Sequence, residues 1–328
     1  MTIDNKIYAK IAGTGSYLPE KRLSNDDLDP ALETSDAWIF ERTGIHARRI
    51  MSSDETVTTM AKEASLKAME AAGITADDID MIMVATCSQE NFFPSCSCLL
   101  QALLGIERPI PAFDLSAACA GFIYALVTGE QFIKTGMAKN VLIVGSEAMS
   151  RVVDWTDRKT CVLFGDGAGA VVLQASNEPG IMCSKLHAQG SYKDLLLLPN
   201  RMTSNDFGAM LKSNYLQMRG NEVFKIAVRS LEEVAEEILE EANVSKEEIQ
   251  WLIPHQANLR IITAMAKKLN MDMERVIITI DEHGNTSSAS IPLALDQGIR
   301  DGRVNRGDTL LLESFGGGLA WGAALIKY

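Results

Sequence analysis

Ser245–Gln256 reads SKEEIQWLIPHQ, and it lies position by position over Thr75–Thr86, TADDIDMIMVAT. Each segment has two acidic residues, an isoleucine, a polar residue and then an apolar run short enough for a strand. A second pair echoes in the same order. FGDGAGAVVL at Phe164–Leu173 follows the strand-like VLIVGS, and FGGGLAWGAALI at Phe315–Ile326 follows LLLES. Repetition at so long a spacing is not a solenoid; it points to duplication of one whole α/β half about a pseudo-two-fold. Around these anchors, Thr56–Ala72 has helical spacing and stops at Gly73, a good C-cap, and Glu222–Asn243 forms a long helix with an acidic, solvated face. Ile7–Gly15, Ile79–Thr86, Asn140–Ser146, Ala168–Gln174, Trp251–Pro254 and Val276–Ile280 read as strands, and Gly165–Gly169 as a tight turn. Apolar strands alternating with helices predict sheets covered by helix layers on both faces. The pattern breaks at Asn177–Gly180, which divides the chain into halves 1–175 and 176–328.

Composition narrows the function. The chain has 328 residues, enough for a large core, and its 47% hydrophobic and 23% charged content is that of a globular protein. A net charge of −12 disfavours nucleic acid or an anionic membrane as the main partner. Six cysteines in such a length make no disulfide framework, and Cys96-Ser-Cys98 lacks zinc-ligand spacing, so no metal site is expected. The N-terminal MTIDNKIYAKIAGTG carries charge where a signal peptide needs an apolar run, and no stretch has the length of a membrane helix. These features predict a cytoplasmic protein.

Pro111–Gly136, PAFDLSAACAGFIYALVTGEQFIKTG, holds the first candidate for chemistry. A short strand ends near Leu115, small residues follow, and a helix apolar on every side begins at Phe122. Cys119 stands at this bend with nothing bulky beside its sulfur. A thiol at a helix N-terminus meets the positive end of the macrodipole, which favours the thiolate. The local sequence fits a nucleophile and a small buried cysteine equally well.

Functional groups in α/β folds gather beyond the carboxyl ends of strands. Two more strand ends qualify: Trp251–Pro254 runs into His255, and Val276–Ile280 runs towards His283-Gly284-Asn285. Cys119, His255 and Asn285 are thereby placed on one rim. Of the four histidines, His46 and His187 read as structural or surface groups, and His283 needs no catalytic role. His255 alone leaves a fully apolar strand, although a hydrogen-bonded core histidine is a competing reading. In Phe315-Gly316-Gly317-Gly318, glycines let backbone N–H groups approach a ligand, and one of them with the N–H of Cys119 would make an oxyanion hole.

DLSAACAGFIYAL, Thr156-Asp157-Arg158, FGDGAGA, PHQANLRI, HGNTSSAS and FGGGLAWG, in this order and spacing, resemble the β-ketoacyl-acyl-carrier-protein synthase III family over essentially the whole chain. The resemblance implies a thiolase-like duplicated αβαβα layered sandwich. It also implies an acyltransferase that performs a decarboxylative Claisen condensation, with acyl-CoA and malonyl-acyl-carrier protein as substrates and no cofactor. Cys119, His255 and Asn285 match the family's Cys-His-Asn triad, and the N–H groups of Cys119 and Gly317 its oxyanion hole. Thr34, Trp38, Arg42 and Arg158 fall at CoA-contacting positions, Asn221 and Asn258 at pantetheine-contacting ones, and Phe315 beside the cysteine. Phe93 matches a residue that closes the acyl pocket of the partner subunit in a homodimer, and its bulk suggests a short primer such as acetyl. Lys225, Arg260, Lys267 and Lys268 would dock an acidic carrier protein. Three alternatives stand beside this reading. One is a specialised relative loading another acyl primer in secondary metabolism. Another is a cysteine hydrolase, whose papain-like context CG[SA]C[WY] is missing here. The third is a non-catalytic CoA- or acyl-carrier-binding protein, which would not need all three triad residues.

Overall fold

The two echoing segments fold alike. Thr75 and Ser245 each open a single 3-10 turn through a capping box closed by Asp78 and Glu248, and an apolar strand follows each turn. The computed structural model describes residues 7–199 and 215–328; residues 1–6, part of the charged N-terminal stretch read above, lie outside the described residues. In chain order the strands are β1 (Tyr8–Tyr17), β2 (Lys21–Ser24), β3 (Ala47–Ile50), β4 (Met81–Ala85), β5 (Ala112–Leu115), β6 (Asn140–Ala148) and β7 (Asp166–Ser176). They continue with β8 (Ile181–Ala188), β9 (Leu196–Leu197), β10 (Gln217–Met218), β11 (Trp251–Pro254), β12 (Thr309–Gly316) and β13 (Ala320–Lys327). The helices are α1 (Asp36–Thr43), α2 (Val57–Ala72), α3 (Cys96–Leu103), α4 (Gly121–Lys134), α5 (Gly220–Ala242), α6 (Leu259–Lys268), α7 (Ile280–His283) and α8 (Ser290–Arg300). As the sequence predicts, α2 ends on Gly73 in the left-handed region, and Asn243 ends α5 in the same way.

The first sheet has the order β1-β7-β6-β4-β5 and the second β8-β13-β12-β11. Their pairings match: β4–β6 and β11–β12 are parallel, while β6–β7 and β12–β13 are antiparallel. The second sheet has no full counterpart of β5. The expected strand Val276–Ile280 is reduced to one parallel bridge between Val276 and Leu252, and Ile280 already belongs to α7. The Gln256 side chain is the reason. Its Nε2 donates to Ile277 O at 3.1 Å, and its Oε1 accepts from Thr279 N–H at 2.9 Å and Ile280 N–H at 3.2 Å. One buried amide thus satisfies backbone groups that a neighbouring strand would otherwise take.

Three apolar clusters fill the spaces between five layers. Ile82, Val84, Leu142 and Val144 face α2 and α3, while their alternates Met81, Met83, Val141 and Ile143 face inwards. That inner cluster is completed by Phe122, Ile123 and Leu126 of α4, Ile291 and Leu295 of α8, and Ile253, Leu310 and Leu312 of the second sheet. The other face of the second sheet packs on α5 and α6 through Leu231, Val234, Ile238, Ile262 and Met265. Strands buried on both faces explain the unbroken apolar runs in the sequence.

Gly165–Gly169 corrects a second expectation: β7 begins at Asp166, so most of the segment is strand. Its glycines serve packing between layers. A Cβ at Gly169 would stand 2.7 Å from Leu293 N and from Pro292 Cβ, so glycine here lets α8 lie against the first sheet.

Candidate active site

Cys119 lies in a 3-10 turn (Ala118–Ala120) between β5 and α4. Ala118 takes φ 47°, a left-handed conformation that presents the next residue at a sharp bend. β12 closes over this turn. Ser314 Oγ donates to Cys119 O at 2.7 Å, and a Cβ on Gly316 would stand 2.7 Å from Cys119 N. Gly316 is therefore the glycine that permits the backbone contact, while Gly317 lines the cavity beyond it.

The same construction recurs in the second half. Ser287–Ala289 forms a 3-10 turn opening α8, and Ser287 takes φ 51° as Ala118 does. Asn285 is held just before it by a parallel bridge to Phe164. Its Oδ1 accepts from Ser287 N–H at 2.9 Å, which leaves the Nδ2 hydrogens for the cavity. His255 is buried at the end of β11, with its N–H donating to Glu313 O at 2.8 Å. Its Nδ1 lies 2.6 Å from Ser290 Oγ, and that hydroxyl accepts from Gln256 N–H at 3.3 Å. The hydroxyl proton is thus directed to Nδ1, and the ring hydrogen belongs on Nε2. Burial pulls His255 down to about 3, so the ring is neutral at any working pH.

Cys119, His255 and Asn285 line one cavity of about 910 Å³, together with Phe315 and Gly317. The expected acidity of Cys119 is not found. Burial pushes its thiol up to about 11, against a smaller lowering by the Ser287 hydroxyl within hydrogen-bonding reach. The neutral His255 supplies no cation to stabilise the thiolate. Iodoacetamide modification of Cys119 should accordingly rise roughly tenfold per pH unit from pH 7 to 10, because only the thiolate reacts. A plateau before pH 8.5 would show that the dipole of α4 outweighs burial.

The cavity opens towards α1. Ser35 caps α1 by accepting from Trp38 N–H at 3.2 Å, which fixes the turn that presents Trp38. The Trp38 ring has the Arg42 guanidinium 4.4 Å and the Arg158 guanidinium 5.6 Å from its centroid. All three residues line the cavity, as do Asn221, Asn258 and Arg260; Thr34 stands half-buried just before the α1 cap. The Asn258 amide is already engaged, capping α6 through Arg260 N–H at 2.9 Å and donating to Arg42 O at 3.0 Å. Lys225 and Lys267 are exposed, and Lys268 is exposed but paired with Glu232 at 2.8 Å. Phe93 is 86% exposed on the loop between β4 and α3 and does not line the cavity of its own chain. His46 pairs with Asp36 and His187 with Glu237, in the structural roles expected of them.

Sequence reasoning missed four groups around the triad: Glu147, Gln256, Ser290 and Cys87, the last a second thiol lining the cavity. Glu147 and Gln256 were legible in part, since each is a polar residue at the end of an apolar strand. Ser290 carries no local signal, because its partner is 35 positions away.

A duplicated five-layer sandwich with a cysteine, a neutral histidine and an amide around one buried cavity defines a thiolase-fold condensing enzyme, a class of acyltransferase. The family model for 3-Oxoacyl-[acyl-carrier-protein (ACP)] synthase III matches residues 113–190, and that for its C terminal matches 239–328. The β-ketoacyl-[acyl-carrier-protein] synthase III of Methylococcus capsulatus is 56% identical, covering 98% of this chain and 99% of its own. The corresponding protein of Aliivibrio fischeri is also 56% identical, covering 98% of this chain and 100% of its own. The crystal structure of 3-oxoacyl-[acyl-carrier-protein] synthase III from Aquifex aeolicus superposes with a TM-score of 0.91 at 48% identity, covering 98% of this chain and 100% of that one. The chain belongs to the β-ketoacyl-acyl-carrier-protein synthase III family.

Proposed function

We propose that Cys119, His255 and Asn285 carry the reaction of this family, the initiating condensation of fatty-acid synthesis. The substrates are a short acyl-CoA and malonyl-acyl-carrier protein, and acetyl-CoA is the proposed primer. The observation that carries the assignment is the convergence of the three side chains on one cavity from two halves of the chain. On this reading residues 1–175 bring the nucleophile and residues 176–328 bring His255 and Asn285.

Cys119 attacks the acyl-CoA carbonyl while the N–H groups of Cys119 and Gly317 receive the oxyanion. The C–S bond to CoA breaks, and the leaving thiolate takes up the proton that Cys119 gives away. Malonyl-acyl-carrier protein then enters. Its C–C bond to the carboxylate breaks, carbon dioxide leaves, and the thioester enolate is held by His255 Nε2–H and Asn285 Nδ2–H. The enolate carbon attacks the acyl-Cys119 carbonyl, and Cys119 departs as a thiolate that takes one proton from solvent. Loss of carbon dioxide drives the condensation, so no cofactor takes part and acyl-CoA is a substrate. Phe315, buried beside Trp321, keeps this end of the cavity dry.

Trp38 and Arg158 are assigned to the adenine of CoA, with Thr34 and Arg42 beside them. A flat ring stacked at ~3.5 Å from each partner needs a gap of about 7 Å. Arg158 lies 5.6 Å from the Trp38 centroid, so it must swing outwards to admit the ring between them. Asn221 and Asn258 line the path assigned to pantetheine. Lys225, Arg260 and Lys267 form the docking patch for an acidic carrier, to which Lys268 adds less because Glu232 already neutralises it. A homodimer is supported by Phe92 and Phe93, which are 62% and 86% exposed and would be covered by a partner whose acyl pocket Phe93 closes. Six free cysteines support a reducing, cytoplasmic setting. Among the described residues no helix is long and apolar enough to cross a membrane. Identity of 56% along the full length favours the fatty-acid role over a secondary-metabolic one.

The deciding experiment is intact-protein mass after mixing with acetyl-CoA, beside a Cys119→Ser control. The expected result is one acetyl adduct, absent from the control and discharged as acetoacetyl product by malonyl-acyl-carrier protein. An adduct formed only with a longer or branched acyl-CoA would move the primer, and no adduct with any thioester would reject the assignment.

A further inference from the structure

Glu147, the last residue but one of β6, lies inside the protein with no exposure to solvent and takes no part in the steps above. Its two oxygens face different halves of the fold. Oε2 accepts from Cys87 N–H at 3.1 Å, from Thr86 Oγ1 at 3.3 Å and from Ser88 Oγ at 2.5 Å, all at the end of β4 in the first half. Oε1 accepts from Ser287 Oγ at 3.1 Å and lies 2.9 Å from Ser288 Oγ, which also lies 2.8 Å from Ala85 O, in the loop between Asn285 and α8. The Cys87 thiol lies 3.3 Å from the same Oε1. Ser287 is a non-glycine residue at φ 51°, a conformation that persists only where its surroundings hold it. Its N–H is the group that fixes the Asn285 amide.

From this geometry we infer that Glu147 is a positioning residue for the condensation half-reaction. It grips Ser287 and Ser288 so that Asn285 keeps Nδ2 turned into the cavity. The inference rests on the role assigned to Asn285 above. It differs from a merely structural role because it acts on one of the two half-reactions. Acylation uses the backbone N–H groups of Cys119 and Gly317, which Glu147 does not touch; the Ser287 hydroxyl, within reach of the Cys119 thiol, is the one link between Glu147 and that step.

Glu147→Gln separates these effects. The backbone N–H of Cys87 cannot turn round, so the glutamine oxygen takes the Oε2 place and the NH2 group faces Ser287 and Ser288. Ser287 Oγ loses its acceptor and Ser288 Oγ is left with Ala85 O alone, while the contacts of Oε2 in the first half survive. Acetylation of Cys119 in a single turnover should stay within about threefold of the parent, and condensation with malonyl-acyl-carrier protein should fall thirtyfold or more. Glu147→Gln combined with Asn285→Ala should be no slower than Asn285→Ala alone, since the first change acts through the residue removed by the second. Equal losses in the two half-reactions, multiplying losses in the double variant, or normal condensation by Glu147→Gln would each overturn the inference. Normal condensation by Asn285→Ala would instead reject the underlying site assignment, and so the two failures are distinguishable. Should Glu147→Gln not fold, Ser288→Ala removes one loop-side donor and must show the same split at about five- to tenfold. An unchanged condensation rate in that variant would overturn the inference.

Discussion

His255→Ala and Asn285→Ala should each accept one acetyl group on Cys119 at close to the parent rate and then stall. Each substitution removes one of the two N–H donors assigned to the enolate oxygen. Loss of a single such donor costs roughly 10²–10³ in rate at sites of this kind. Condensation, followed as acetoacetyl product, should fall by about that factor in either variant. Neither change strands a charge, because His255 is neutral and Asn285 is an amide. Asn285→Ala does leave Ser287 N–H without its partner, at a stability cost of about 1–3 kcal/mol. The loss should also be independent of pH between 6 and 8. The His255 ring sits near 3, far below the window, so no protonation step is crossed. A bell-shaped profile for the parent with an inflection near 6.5, absent from His255→Ala, would show that the ring works as an acid or base. Normal condensation in either variant would reject both assignments.

Gly316→Ala is expected to have the opposite signature, losing acylation. A methyl group at this position meets Cys119 N at 2.7 Å and Ala120 N at 3.0 Å, and both are backbone atoms that no rotamer change can move. The Cys119 turn must draw back from β12, which also disturbs the 2.7 Å contact of Ser314 Oγ with Cys119 O. A displacement of about 1 Å at a nucleophile can cost 10²-fold. Single-turnover acetylation by acetyl-CoA should drop by at least that much, with the far-ultraviolet circular dichroism of the parent retained. Gly317→Ala is the internal comparison. The atom nearest its added methyl is Leu196 O at 3.2 Å, a tight contact that leaves the Cys119 backbone untouched. Equal rates for Gly316→Ala and the parent would mean that this close approach has no part in placing the nucleophile.

The parts of this site legible in the sequence were those with a local cause. An apolar run ending in a polar residue marks a strand end, and that single rule led to His255 and to the Cys119 turn. Val276–Ile280 obeyed the same rule and still gave no strand, because the Gln256 side chain occupies its backbone groups. The glycines at 165–169 looked like a turn, but Gly167 and Gly169 serve close contact with α8, more than 120 positions away, and Gly165 with His283 O. Cys119 looked acidic from its place before a helix, yet the burial that raises its pKa is contributed by elements the local sequence does not contain. Glu147 and Ser287 are 140 positions apart. A link of that span becomes visible only when the two halves are brought together.

The central helices α4 and α8 are buried between the two sheets along most of their length, and their exposed residues, Gln131, Lys134, Gln297 and Arg300, lie towards the C-terminal ends. The protein therefore cannot be cut between its two echoing halves. Either half, made alone, would present to water the apolar face that the other covers. Joining both halves in one chain makes that shared face interior, and holds Cys119, His255 and Asn285 together around one cavity.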